Sequence, residues 1–156
     1  MGEIYNDYVI NDPVFFPLIE LTIKLGVPLM EHAGHPSWLD NPQPRISDGA
    51  AFADVGKRYP EALIVCGHIC GGGDWEWELK ALRNSPSIYL DTSGSVVDEG
   101  TMEKAVEILG ADRLLFACDV SFTASVGRMR SANLSQADKD KIYSLNTQRL
   151  LRRRKA

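Results

Sequence analysis

The stretch "LIVCGHICGGGDW", residues 63–75, decides how the rest of the chain reads. An apolar run from Leu63 to Cys66 reaches His68, passes Cys70 and dissolves into three glycines before Asp74 and Trp75. A short run with no polar alternation suits a strand covered on both faces, as in a parallel sheet. An imidazole just past such a strand stands at the end of the sheet, and glycines behind it let backbone turn sharply or approach a ligand. The expectation is that His68 sits at the mouth of a barrel, where a substrate needs room.

The same form recurs along the chain. "EIYNDYVI" (3–10), "VPLMEHA" (27–33), "ALIVCGH" (62–68), "SIYLDTS" (87–93) and "LLFACD" (114–119) read as five strands alternating with helical segments. The last four end at Ala33, His68, Ser93 and Asp119, 35, 25 and 26 positions apart, close to the ~30 residues of a βα repeat. Asp12–Pro13 opens a helix that Gly26 ends. Met102, Ala105, Val106 and Leu109 form one apolar face before Gly110, and Ser135 with Asp138 opens a last helix carrying Ile142, Leu145 and Leu150. Trp75 and Trp77 begin the helix after the glycines, as packing residues, and residues 34–45 read as a long loop.

Composition bounds the function. With 156 residues, 44% of them hydrophobic, the chain is sized for one domain, 1–156, with a sizeable core. A formal charge of −4 gives no electrostatic reason to expect nucleic acid or an anionic membrane as partner. The basic tail "LLRRRKA" reads as a helix C-terminus complementing its dipole. Three cysteines form no disulfide framework, and the opening "MGEIYNDY" lacks a secretory pattern, so a reducing, cytoplasmic setting is expected. No apolar run approaches the ~20 residues of a membrane span.

Five βα units leave an open doubly wound sheet or part of a closed (β/α)8 barrel. In either, functional groups collect at the carboxyl edge of the sheet. His32, His68 and Asp119 each arrive there after an apolar strand. Singly, such a residue more often bonds a loop or caps a helix; together, two imidazoles and a carboxylate are the donors that ligate borderline divalent metals. Cys66, His68 and Cys70 alternate as an extended chain would place them on one face, but no matching Cys-x-x-Cys completes a four-ligand zinc set. "GHICGGGD" matches neither glycine-rich phosphate loop, which weighs against a nucleotide binder.

"VPLMEHAG", "VCGHICGGGDW", "IYLDTSG", "GADRLLFACDVSF" and "KIYSLNTQRLL", in that order, resemble the successive strand-end motifs of the amidohydrolase-related family of metal-dependent hydrolases, which includes aminocarboxymuconate semialdehyde and resorcylate decarboxylases. The resemblance runs from about Ile4 to Leu151 and implies a partial (β/α)8 TIM barrel, strands 4 to 8. It implies His32 as a metal ligand at the fifth strand, His68 as a proton shuttle at the sixth, and Asp119 as metal ligand and proton acceptor at the eighth. Asp91 falls at a common acidic position of the seventh strand, with a structural role as reasonable as a catalytic one. A divalent ion, zinc by default, lowers the pKa of bound water towards ~7, and a neutral His can move the proton.

The departures are specific. The family's first strand supplies two ligands as His-x-His, and the three histidines here, His32, His35 and His68, contain no such pair. "FACDVSF" stands where a Gly-Ser-Asp-Tyr-Pro-like stretch is usual, with the aspartate kept. A full barrel takes ~250 residues, and half a barrel leaves open sheet edges that favour pairing. The expected partners are therefore a small-molecule substrate and either a further copy of the chain or a complementing N-terminal half. The alternative to an enzyme is a metal-free half-barrel serving as a structural or interaction module.

Overall fold

The computed structural model describes residues 8–34, 45–70, 75–94, 96 and 98–152. Four short strands form one parallel sheet: β1 (Leu29–Glu31), β2 (Ile64–Cys66), β3 (Ile88–Asp91) and β4 (Leu114–Leu115), ordered β1-β2-β3-β4. Their ends fall 35, 25 and 24 residues apart. The first of the five expected strands, residues 3–10, lies mostly outside the described residues, and residues 8–10 are not strand.

Strand order decides between the two architectures. In a doubly wound sheet the order reverses at a switch point. Here it runs monotonically, and right-handed crossovers then place every connecting helix on one side. The protein is a segment of a TIM-type barrel.

Each helix has local causes. The Asp12 side chain accepts from the Val14 N–H (3.1 Å) at a 3-10 turn, Pro13–Phe15, that leads into α1 (Phe16–Leu25). Gly26, at φ 65°, ends it, with Gly26 N–H bonded to Ile23 O and Val27 N–H to Thr22 O. α2 (Gly49–Arg58) is capped by Asp48 through the Ala51 N–H (2.7 Å). α3 (Trp75–Ala81), α4 (Thr101–Leu109) and α5 (Phe122–Ser131) follow, the last capped by Ser121. On α4, Met102, Ala105 and Leu109 are buried as the spacing requires.

The C-terminal helix departs from simple periodicity. α6 (Gln136–Asp140) and α7 (Asn146–Arg152) are joined by a π-helical turn, Lys141–Leu145. The extra residue frees the Ile142 carbonyl to accept from Phe116 N–H (2.9 Å) just beyond β4. It also turns Asn146 into the protein, where its Nδ2 donates to Ala111 O (2.7 Å) and Leu114 O (2.8 Å). Leu145 is consequently exposed, against its expected place beside Ile142 and Leu150.

Register sorts the side chains. Ile64, Ile88, Cys66, Leu90 and Leu114 face the helices and form the main core with Phe52, Leu79, Met102 and others. Cys66 is therefore in the sheet–helix core and not in the barrel's inner layer. The opposite face carries Leu63, Val65, Tyr89 and Leu115, joined by Leu150 of α7. Met30 shares that inner face but is 60% exposed at the β1 edge. Trp77 is also exposed, contrary to the packing role expected of it, whereas half-buried Trp75 donates from Nε1 to Asp98 (2.6 Å).

On α1, Val14 ahead of the helix and Leu18, Leu21 and Leu25 along it are exposed at i, i+4, i+7 and i+11, an apolar stripe on the helix that leads to that edge. No helix among the described residues is long and apolar enough to cross a membrane.

Leu90→Ala, which empties a fully buried place, is expected to cost about 2–5 kcal/mol in urea unfolding. Met30→Ala is expected to stay within about 0.5 kcal/mol.

Candidate functional site at the strand ends

The carboxyl ends of β1, β2 and β3 bring two of the three expected residues together. His32 follows β1 and His68 lies two residues past β2. Their rings are 4.7 Å apart between centroids and inclined at 71°, edge to face. The two strand ends approach this closely because Gly67 lies between them. Its N–H donates to Glu31 O (2.9 Å), and a Cβ there would stand 3.2 Å from that oxygen.

Asp91, at the end of β3, organises His68. Its Oδ1 accepts from the His68 main-chain N–H (3.0 Å), the Ser93 N–H (2.8 Å) and the Ser93 hydroxyl (2.6 Å). Ser93 Oγ in turn lies 2.9 Å from His68 Nδ1. Gly94, at φ 90°, packs directly on the ring's root: a Cβ on it would come within 2.7 Å of His68 Cβ. Arg128 of α5 closes the arrangement from behind, donating to Thr92 O (2.7 Å) and Gly94 O (3.0 Å) on either side of Ser93.

Backbone strain is concentrated here. Among the described residues the non-glycine positions with positive φ are His68 (66°), Ile69 (46°) and Asp119 (48°). Such conformations cost roughly 1–3 kcal/mol each, and for a β-branched residue they are rare. Ile69 is fully buried in the helix-side core, which returns about 1.5–3 kcal/mol. Core packing thus holds the turn that aims His68. It also breaks the expected alternation of Cys66, His68 and Cys70, because the chain is a 3-10 turn from His68 to Cys70 and not extended.

Asp119 lies four residues beyond β4, in a turn. Burial and the neighbouring His68 push the His32 pKa down to about 4, with Asp119 and Asp91 opposing them. His32 is thus a neutral imidazole with a lone pair at neutral pH, the form that binds metal. Even so, no group of three or more His, Cys, Asp or Glu side chains close enough to hold a metal occurs among the described residues. The donor types suit a divalent ion, but the described residues supply at most part of a coordination shell. His35 and residues 71–74, with the three glycines, lie outside the described residues.

A cavity of about 610 Å³ opens elsewhere, between the start of α4 and α5, bordered by Asp98, Met102, Gly127 and Arg128. It includes neither His32, His68 nor Asp119, so it belongs to the helix layer behind the β3 loop.

A model of the family described as amidohydrolase matches residues 4–153. The chain belongs to the amidohydrolase family. No curated protein matches it. Among solved structures it is similar to 5-carboxyvanillate decarboxylase of Sphingomonas paucimobilis (20% identity, TM-score 0.68), covering 94% of this chain and 56% of that one. It is similar also to a dihydroxybenzoic acid decarboxylase of Polaromonas sp. with bound manganese and the inhibitor 2-nitroresorcinol (20%, TM-score 0.68, 95% and 56%). A third is a TIM-barrel protein of Bordetella bronchiseptica (19%, TM-score 0.71, 96% and 54%). The amidohydrolase chain spans little more than half the length of these barrels.

Sequence reasoning named His32, His68, Asp119 and Asp91 but not Ser93, Gly94 or Arg128 as site residues. The signal for the first two was present in "DTSG", where a hydroxyl and a glycine follow the strand-end acid.

Two outcomes are expected. Because the folded His32 pKa lies below its ordinary 6.5, the unfolded chain binds the proton more readily. Its contribution is therefore complete above pH ~6.5 and lost as pH falls towards ~4; His32→Asn should flatten unfolding free energy against pH in that window. Gly94→Ala, strained and in collision with His68, should cost about 1–3 kcal/mol, read by thermal unfolding.

Proposed function

We propose that this chain carries the catalytic-side portion of a metal-dependent amidohydrolase-family enzyme acting on a small molecule, by non-oxidative decarboxylation or by hydrolysis of a C–N or C–O bond. The observation that carries this reading is the meeting of His32 and His68 at the barrel mouth, on backbone whose only left-handed non-glycine residues, among those described, are His68, Ile69 and Asp119. Strain of this kind is retained where the surrounding structure over-determines it, commonly at functional sites.

In this reading His32 and Asp119 are metal ligands and His68 moves the proton. The remaining ligands come from outside the described residues, from a complementing part of the barrel or a further copy of the chain. A bound divalent ion, zinc or manganese, would supply Lewis acidity and an acidified water. The chain's own contribution is to keep His32 neutral, to hold His68 beside it through Asp91 and Ser93, and to shield the pair with the β3 loop. Decarboxylation is favoured over hydrolysis because two of the similar structures are decarboxylases of aromatic acids. A cytoplasmic setting agrees with Cys66 and Cys118 being thiols.

A second reading, a metal-free interaction module, is favoured by the lack of a three-donor group among the described residues and by the apolar stripe on α1.

Metal content after dialysis against a divalent ion separates them. The first reading expects bound metal in the wild-type chain and at least a tenfold loss in His32→Ala with Asp119→Ala. Equal content in both proteins overturns it.

A further inference from the structure

We propose that Ser93 is a positioning residue that fixes His68 in the tautomer with its proton on Nδ1, leaving Nε2 as a bare lone pair. The inference rests on the reading of His68 as the proton-moving group and adds how that group is prepared.

An Asp91 carboxylate can only accept, and a serine hydroxyl has one hydrogen to give. At 2.6 Å, Ser93 Oγ–H to Asp91 Oδ1 is the shortest contact in the cluster and is charge-assisted. With its hydrogen committed there, Ser93 Oγ faces His68 Nδ1 at 2.9 Å with lone pairs alone, so the hydrogen between them belongs to Nδ1. A neutral imidazole has one N–H, and Nε2 is left without one.

Two further contacts keep the hydroxyl from turning away. The Ser93 N–H is bonded to the same Asp91 oxygen (2.8 Å), fixing the backbone of the residue. The Arg128 guanidinium holds the carbonyls of Thr92 and Gly94, one on each side of it. Among the described residues Arg128 makes no ion pair and its buried Nε has no hydrogen-bond partner. A guanidinium kept at that cost and bonded to main-chain carbonyls of one loop is suited to rigidity.

The test is ¹⁵N NMR of the full chain, with metal removed by chelation, at about pH 8, where an ordinary imidazole is neutral. Wild type should show His68 with a protonated Nδ1 and an unprotonated Nε2. Ser93→Ala should lose this preference and populate the Nε2–H form. Ser93→Thr, which keeps the hydroxyl, should restore the wild-type signature, a rescue that a purely packing role would not give.

A wild-type His68 protonated on Nε2 overturns the proposal without any variant. So does a Ser93→Ala protein with the wild-type tautomer, or a folded Ser93→Thr protein that fails to restore it. Metal content is measured separately: a correct tautomer in a chain that binds no metal counts against the His32–Asp119 site and leaves this proposal standing.

Discussion

One buried oxygen, Asp91 Oδ1, collects three donors from two different loops: the main-chain N–H of His68, and the main-chain N–H and hydroxyl of Ser93. A carboxylate removed from water is costly unless its lone pairs are satisfied. Here that satisfaction requires the end of β2 and the loop after β3 to hold one geometry. The left-handed turn at His68, the close seat of Gly94 and the grip of Arg128 are arranged around it. An aspartate that looks structural by its bonds is thereby also the residue that sets the position of the imidazole.

The sheet makes this possible because parallel strands in unbroken order deliver their carboxyl ends to one rim. Alternating residues go to the helix side, where Ile64, Ile88, Leu90 and Leu114 are fully buried. The rim residues are then free to differ chemically from the core beneath them. Glu31 marks the limit of that separation. It is buried on the helix-facing register of β1, next to His32 in sequence, and its Oε1 has no hydrogen-bond partner among the described residues.

Much of this was legible in the residues. Apolar runs ending in polar groups gave the strands and their spacing, because a strand covered on both faces has no alternation to obscure its ends. Asp12, Gly26, Gly110 and Ser135 marked helix limits through local hydrogen-bond needs that act over a few residues. What was hidden depends on contacts distant in sequence. Ser93 matters through a partner 25 residues away and Arg128 through carbonyls 34 to 36 residues away. The extended path expected from Cys66 to Cys70 failed because burying Ile69 outweighs the local preference of its backbone. Trp77 was misjudged because size alone does not say which way a helix face looks.

The π-helical turn at Lys141–Leu145 has a consequence for how this chain can change length. It is the imprint of one surplus residue in a helix, and everything past it is rotated by about a quarter-turn, 100° for one residue in an ordinary helix. Asn146 reaches the carbonyls of Ala111 and Leu114 only because of that rotation. Excising a single residue here would give a more regular helix and a worse protein, since the amide would swing away from both carbonyls, the Ala111 one keeping only the Leu114 N–H. A one-residue change of length in this segment therefore turns Asn146 off its two carbonyls, so the length of the helix and the anchoring of its end are set together.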